Sequence, residues 1–153
     1  PVAEGVIDLS RLIRHDGIDL GSCYTLYTNE LGGRVAVSSY APWNKIGLGP
    51  KRRQLIAVAD WLSEGRLPVI IDETVRVAPF VRQSTDGRVG VVRLNNSREA
   101  TGSMTLRLRA SPSQVSLVSD EGLRPLGTRG SPGETVVEVP SIPPWSSITL
   151  VGY

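Results

Sequence analysis

Met104-Thr105-Leu106-Arg107-Leu108-Arg109 alternates apolar and polar side chains without a break. Successive side chains of a strand point to opposite faces, so this stretch predicts a strand with one face in a core and the other in water. The same period of two extends in both directions. Upstream, Val75 and Val77 lead to Phe80-Val81, Asp86-Gly87 supplies a hairpin turn, and Val89, Val91 and Val92-Arg93-Leu94 return toward Asn95-Asn96. Downstream, Gln114 to Val118, Thr135 to Val139 and Ser147 to Val151 read as strands separated by Gly, Pro, Ser and Asp clusters. Roughly six or seven short strands spaced by turns predict an antiparallel β-sandwich that begins where the period changes, at about Thr74.

The part before it is organised differently. Val6-Ile7-Asp8-Leu9 and Arg11-Leu12-Ile13, the turn His15-Asp16-Gly17, and Tyr24-Thr25-Leu26-Tyr27 predict a hairpin. A turn over Asn29 to Gly33 leads to a third strand, Arg34 to Tyr40. A helix then starts at Pro50, where a missing N–H is harmless, and closes at Gly65 as C′ residue. Leu55, Val58, Ala59 and Leu62 make its apolar face, flanked by Ile56 and Trp61. Leu67 to Ile71 is a short apolar run of strand length, so strand, helix and strand alternate from Arg34 to Ile71, the pattern of an α/β unit. The expected fold is mainly β: a small α/β lobe with one principal helix over 1–72, then an antiparallel β-sandwich over 73–153.

Composition narrows the function. The 153 residues hold 40% hydrophobic and 21% charged side chains, ordinary globular usage. Lys and Arg number 17 against 15 Asp and Glu, scattered except for Lys51-Arg52-Arg53, which does not suggest nucleic-acid binding. No apolar run reaches the roughly 20 residues of a membrane span. The chain begins with Pro rather than Met, as expected of a processed or excised segment, so a secretion signal could lie upstream and the compartment is open.

Catalytic machinery is sparse. Cys23 is the single cysteine and His15 the single histidine. These rule out an internal disulfide and cysteine- or histidine-rich metal sites within one chain, and no cofactor is expected. Cys23 reads as a small strand residue and His15 as a solvated turn residue. No serine lies in a Gly-x-Ser-x-Gly elbow, and Gly47-Leu48-Gly49-Pro50 lacks the Lys-Ser/Thr of a phosphate loop. A glycosidase needs two carboxylates about 5–10 Å apart. Asp72 and Glu73 are adjacent, point to opposite sides of an extended chain, and read as linker residues in water. The basic triplet reads as a solvated first helical turn, with a contact to acidic groups of a neighbouring domain as the sharper alternative. Tyr40, Trp43 and Trp145 lie beside prolines in predicted loops, where a ring could stack on a sugar; packing against the core or an interface is the alternative. Asn95-Asn96-Ser97 fits a glycosylation acceptor but reads more simply as a turn.

Gly32-Gly33-Arg34-Val35-Ala36-Val37, Tyr40-Ala41-Pro42-Trp43, Lys51 to Leu55 and Ala59-Asp60-Trp61-Leu62 resemble the C-terminal region of bacterial glycoside hydrolases of the beta-galactosidase type. Val139 to Leu150 likewise resembles the last strand of their terminal sandwich. The resemblance implies an amidotransferase-like α/β remnant followed by that sandwich, downstream of a catalytic barrel, and no catalytic residue carries over. It implies a non-catalytic accessory domain that stabilises or positions the catalytic domain of the same polypeptide or mediates homo-oligomerisation. A carbohydrate-binding module using the loop aromatics is the alternative.

Overall fold

The computed structural model describes residues 4–73 and 75–153, so Thr74, where the change of period was placed, lies outside the described residues. The chain divides into two compact units, one up to Gly65 and one from Arg66 to Tyr153. The described residues are mainly β, with one α-helix and antiparallel sheets.

In the first unit β1 (Val6–Ile13), β2 (Asp19–Thr28) and β3 (Arg34–Ser38) form a meander, and α1 (Gly49–Leu62) lies over it. Its buried apolar side chains are Tyr24, Leu26 and Val58, with Ala36, Tyr40 and Trp61 packed around them. The helix presents a different seam from the expected one. Leu62 is exposed, whereas Trp61 joins the core and holds the Arg34 guanidinium 5.1 Å from its ring. Lys51 Nζ lies 5.3 Å from the Tyr40 ring and donates to Gln54 Oε1 at 3.2 Å. Lys51 is thus no solvated first-turn cation: its stem covers apolar surface while its ammonium stays polar-bonded. The helix ends one residue earlier than expected. Ser63 is the C-cap, Glu64 donates to Trp61 O at 3.0 Å, and Gly65 donates to Asp60 O at 2.8 Å. This is a Schellman motif with Glu64, at φ 58°, in the C′ place and Gly65 after it.

The second unit is a sandwich of two sheets. β4 (Val69–Ile71), β7 (Met104–Leu108), β10 (Thr128–Ser131) and β11 (Glu134–Val139) form one, in the order β10-β11-β7-β4. β5 (Val77–Gln83), β6 (Val89–Asn95), β8 (Val115–Ser119), β9 (Gly122–Leu126) and β12 (Ser147–Gly152) form the other, in the order β5-β6-β12-β8-β9. Met104, Leu106 and Leu108 all point into the core, as their alternation requires, against Val89, Val91, Val115, Val137, Val139, Ile142 and Leu150. Val69–Ile71 pairs antiparallel with β7 instead of returning beside β3, so no β–α–β unit forms. Asp72 and Glu73 continue that seam and are not free linker carboxylates. Asp72 accepts from Arg107 Nη2 at 2.8 Å, and Glu73 Oε2 accepts the Thr105 N–H at 2.8 Å.

β9 and β10 have no counterpart in the sequence reading. Both are exposed edge strands, the one place where a sheet tolerates Pro125 and Gly130. Gly130 is required: a Cβ there would sit 2.2 Å from Glu134 O. The opposite edge, β5, carries Pro79. Its turn to β6 is the expected Asp86-Gly87 turn, with Gly87 at φ 87°. Asp86 bonds the Arg88 guanidinium and the Ser84 hydroxyl, which hold its carboxyl down at about 2, below the ordinary 3.8. A carboxylate depressed by folding adds stability that is present above the unfolded value and lost as pH falls through the folded one. The hairpin is therefore expected to weaken between about pH 4 and 2, and Asp86→Asn to abolish that component of the acid titration. Carboxyl-detected NMR titration checks it, and an Asp86 midpoint near 4 would refute it.

Candidate functional site

The second unit carries a cleft of about 630 Å³ lined by Val75, Arg76, Trp145 and the loop 96–101. Its walls hang on Asn95, the last residue of β6. Counting back through Arg93 and Val91 to Val89, Asn95 occupies a core-facing position, and it is fully buried. Its Nδ2 donates to Glu99 O (2.8 Å), Ile142 O (3.0 Å) and Pro143 O (2.9 Å). Its Oδ1 accepts from Ser97 N (3.0 Å) and Ser97 Oγ (2.8 Å). One amide thus fixes both the 96–101 loop and the turn that carries Trp145. Thr101 braces the same walls, donating its N–H to Ile142 O at 3.1 Å and accepting the Ile142 N–H on Oγ1 at 3.0 Å. The Asn95-Asn96-Ser97 acceptor pattern is consequently a structural turn, with the Asn95 amide consumed inside the protein.

Trp145 stands at this cleft with 67% of its surface exposed, and its backbone has φ 54°. A bulky residue in the left-handed region is strained, and an exposed ring regains nothing by burial to offset it. Arg76, Arg98 and Glu99 bring two cations and one carboxylate to the lining, and none of the three side chains makes an ion pair among the described residues. The cleft is open, polar and net cationic, with one aromatic face.

The other two aromatic candidates belong to the first unit. Tyr40 is packed: its ring meets Tyr24 edge-on at 6.1 Å and its hydroxyl bonds Gln54 Oε1 at 3.4 Å. Trp43 is 66% exposed, in the 3₁₀ turn Pro42–Lys45. Of the three, Trp145 is the one that the structure sets among unpaired polar groups. Arg76, Arg98 and Asn95 were missed as site residues; reading β6 as alternate positions would have turned Asn95 inward.

Among the described residues His15, Cys23, Asp72 and Glu73 occupy separate settings. His15 is exposed in the β1–β2 turn, and Cys23 is half-buried with Sγ 3.4 Å from Ser10 Oγ. Asp72 and Glu73 are engaged as described, and Glu134 lies 3.5 Å from Arg109. Among the described residues no group of three His, Cys, Asp or Glu side chains could hold a metal ion, and no helix is long and apolar enough to cross a membrane.

No family model matches the chain, and no curated protein matches it. Two solved structures are similar in fold, and both are glycoside hydrolases. A rhamnosidase from Novosphingobium sp. PP1Y matches 63% of this chain with a TM-score of 0.52 and 22% identity. The alpha-L-fucosidase isoenzyme 2 of Paenibacillus thiaminolyticus matches 88% of it with a TM-score of 0.57 and 10% identity. The chain spans 9% of the former and 22% of the latter.

Proposed function

We propose that this chain is a non-catalytic accessory region of a glycoside hydrolase of the beta-galactosidase type, stabilising or positioning the catalytic domain of the same polypeptide. The observation that carries the reading is the imbalance within the first unit. Ile7, Leu9, Leu12, Ile13, Ile18 and Leu20 of the β1–β2 hairpin are exposed, while the buried apolar side chains of the unit's described residues are Tyr24, Leu26 and Val58. So small a core stabilises a lobe poorly, and exposed aliphatic side chains crowded on one hairpin mark a contact with another protein surface. The likeness in fold to stretches of two much longer glycoside hydrolases supports the same conclusion.

The purified chain is expected to hydrolyse no aryl glycoside; turnover that persists through independent purifications overturns the reading. Ile13→Lys with Leu20→Lys is expected to lower the binding of an apolar dye several-fold while shifting Tm by only a few degrees, as exposed positions do. A collapse of the fold instead would show that these side chains belong to the lobe's own core.

A second reading, a carbohydrate-binding module, is favoured by the strained and exposed Trp145 at a polar cleft. The two readings are compatible, since they use different units.

A further inference from the structure

We infer that the Trp145 cleft binds an acidic saccharide, one whose sugar ring carries a carboxylate. The inference rests on the carbohydrate-binding reading and specifies its ligand. Three features of the lining select this class. The indole of Trp145 offers a flat apolar surface, which suits the C–H face of a pyranose. Its backbone is held at φ 54° by a turn tied to the buried Asn95 through Pro143 O, so the ring is presented in place. Strain of this kind, at a residue that packs against little, is a mark of a functional position.

The second feature is charge. Arg76 enters the cleft from the segment before β5, and Arg98 from the 96–101 loop. In the sandwich Arg88 pairs with Asp86, Arg107 with Asp72 and Arg109 with Glu134, whereas the exposed Arg82, Arg124 and Arg129 make no ion pair among the described residues. What sets Arg76 and Arg98 apart is that both line one cleft. Arg76 and Arg98 have no such partner among the described residues, although Glu99 lines the same cleft. A guanidinium presents paired donors that match a carboxylate in two parallel hydrogen bonds, a geometry a neutral sugar cannot use. The third feature is the rest of the rim. Glu99 and the exposed Asn96 supply acceptors and donors suited to ring hydroxyls, so the cleft addresses a whole sugar and not a bare anion. Neutral sugars would gain the stacking and the hydroxyl contacts but not the paired bonds of a carboxylate to the guanidinium groups.

The test is calorimetric titration of the full chain with a galacturonate trimer and with its methyl ester, which keeps the shape and removes the charge. The acid is expected to bind about tenfold more tightly than the ester at low salt, with the advantage shrinking as salt screens it. Arg76→Gln with Arg98→Gln is expected to erase the difference and leave the weak binding of the ester. Trp145→Gly is expected to abolish binding of both while leaving Tm unchanged or raised, because glycine adopts a positive φ without strain. Equal binding of acid and ester, lost in Trp145→Gly, overturns the acidic specificity and leaves the carbohydrate-binding reading standing. Binding of neither, in a folded protein and across glucuronate and mannuronate oligomers as well, overturns both. Binding that survives Trp145→Gly places the sugar elsewhere and overturns the assignment of this cleft.

Discussion

Asn95→Ala is expected to destabilise the second unit by about 3–5 kcal/mol, a loss larger than a typical point substitution. The side chain is fully buried and its amide meets five backbone or hydroxyl partners. Removing it does not merely forfeit those bonds. It also opens a void beside the core, while the Ile142, Pro143 and Glu99 carbonyls each keep one other donor, the Thr101 N–H, Ser146 Oγ and Ser97 Oγ; each hydrogen bond lost is worth about 0.5–1.5 kcal/mol net. Because two loops share the one amide, their losses couple. Asn95→Asp separates hydrogen bonding from volume. It retains the size but turns a double donor into a carboxylate that faces three carbonyl oxygens. The folded state then holds that carboxyl protonated, with its pKa above the unfolded value, so stability falls as pH rises through the range between the two. Urea denaturation of both variants from pH 4 to 8 checks this: Asn95→Ala should be flat and Asn95→Asp should worsen steadily. A cost for Asn95→Ala below about 1 kcal/mol would mean that the loops hold themselves.

What could be read from the residues alone follows from how one-sided each element's burial is. The alternation of Met104, Leu106 and Leu108 was legible because β7 lies in the interior of its sheet with one face wholly in the core. β9 and β10 were not, since an exposed edge strand has no apolar face to betray it, and its Pro125 or Gly130 mimics a turn. The helix was found by its Pro50 start and its left-handed stop, yet its seam was misplaced: Lys51 and Gln54 sit beside Tyr40 on what a hydropathy pattern assigns to water. Val69–Ile71 had strand character from composition, but composition does not name a partner, and β7 lies far along the chain. The site was legible only in part. Trp145 could be suspected from its loop, whereas Arg76 and Arg98 are set beside it by pairings among distant strands.

The largest opposite effect is expected at Arg93. Its guanidinium is fully buried on the core face of β6 and meets Met104 Sδ, while Nε and Nη1 have no hydrogen-bond partner among the described residues. Burial pushes its pKa down to about 10, against which the nearby Glu73 carboxylate pulls upward. The group is therefore still charged at neutral pH, and the fold bears the cost of desolvating it. Arg93→Met keeps much of the volume, removes the charge and adds a thioether beside Met104, so it is expected to stabilise the unit by about 1–3 kcal/mol, as replacing buried ionic groups often does. Glu73→Gln is the counterpart. Glutamine preserves the acceptor for the Thr105 N–H and removes only the charge, which in the wild type should cost roughly 1–2 kcal/mol because Arg93 loses its compensating field. In the Arg93→Met background the same substitution should cost almost nothing, leaving a coupling of about that size in a double-mutant cycle read by chemical denaturation. If Arg93→Met instead destabilises by more than about 1 kcal/mol, the guanidinium is satisfied by internal water and holds the β6–β7 seam together. Glu73 would then act through its bond to Thr105 alone, and the cycle would show no coupling.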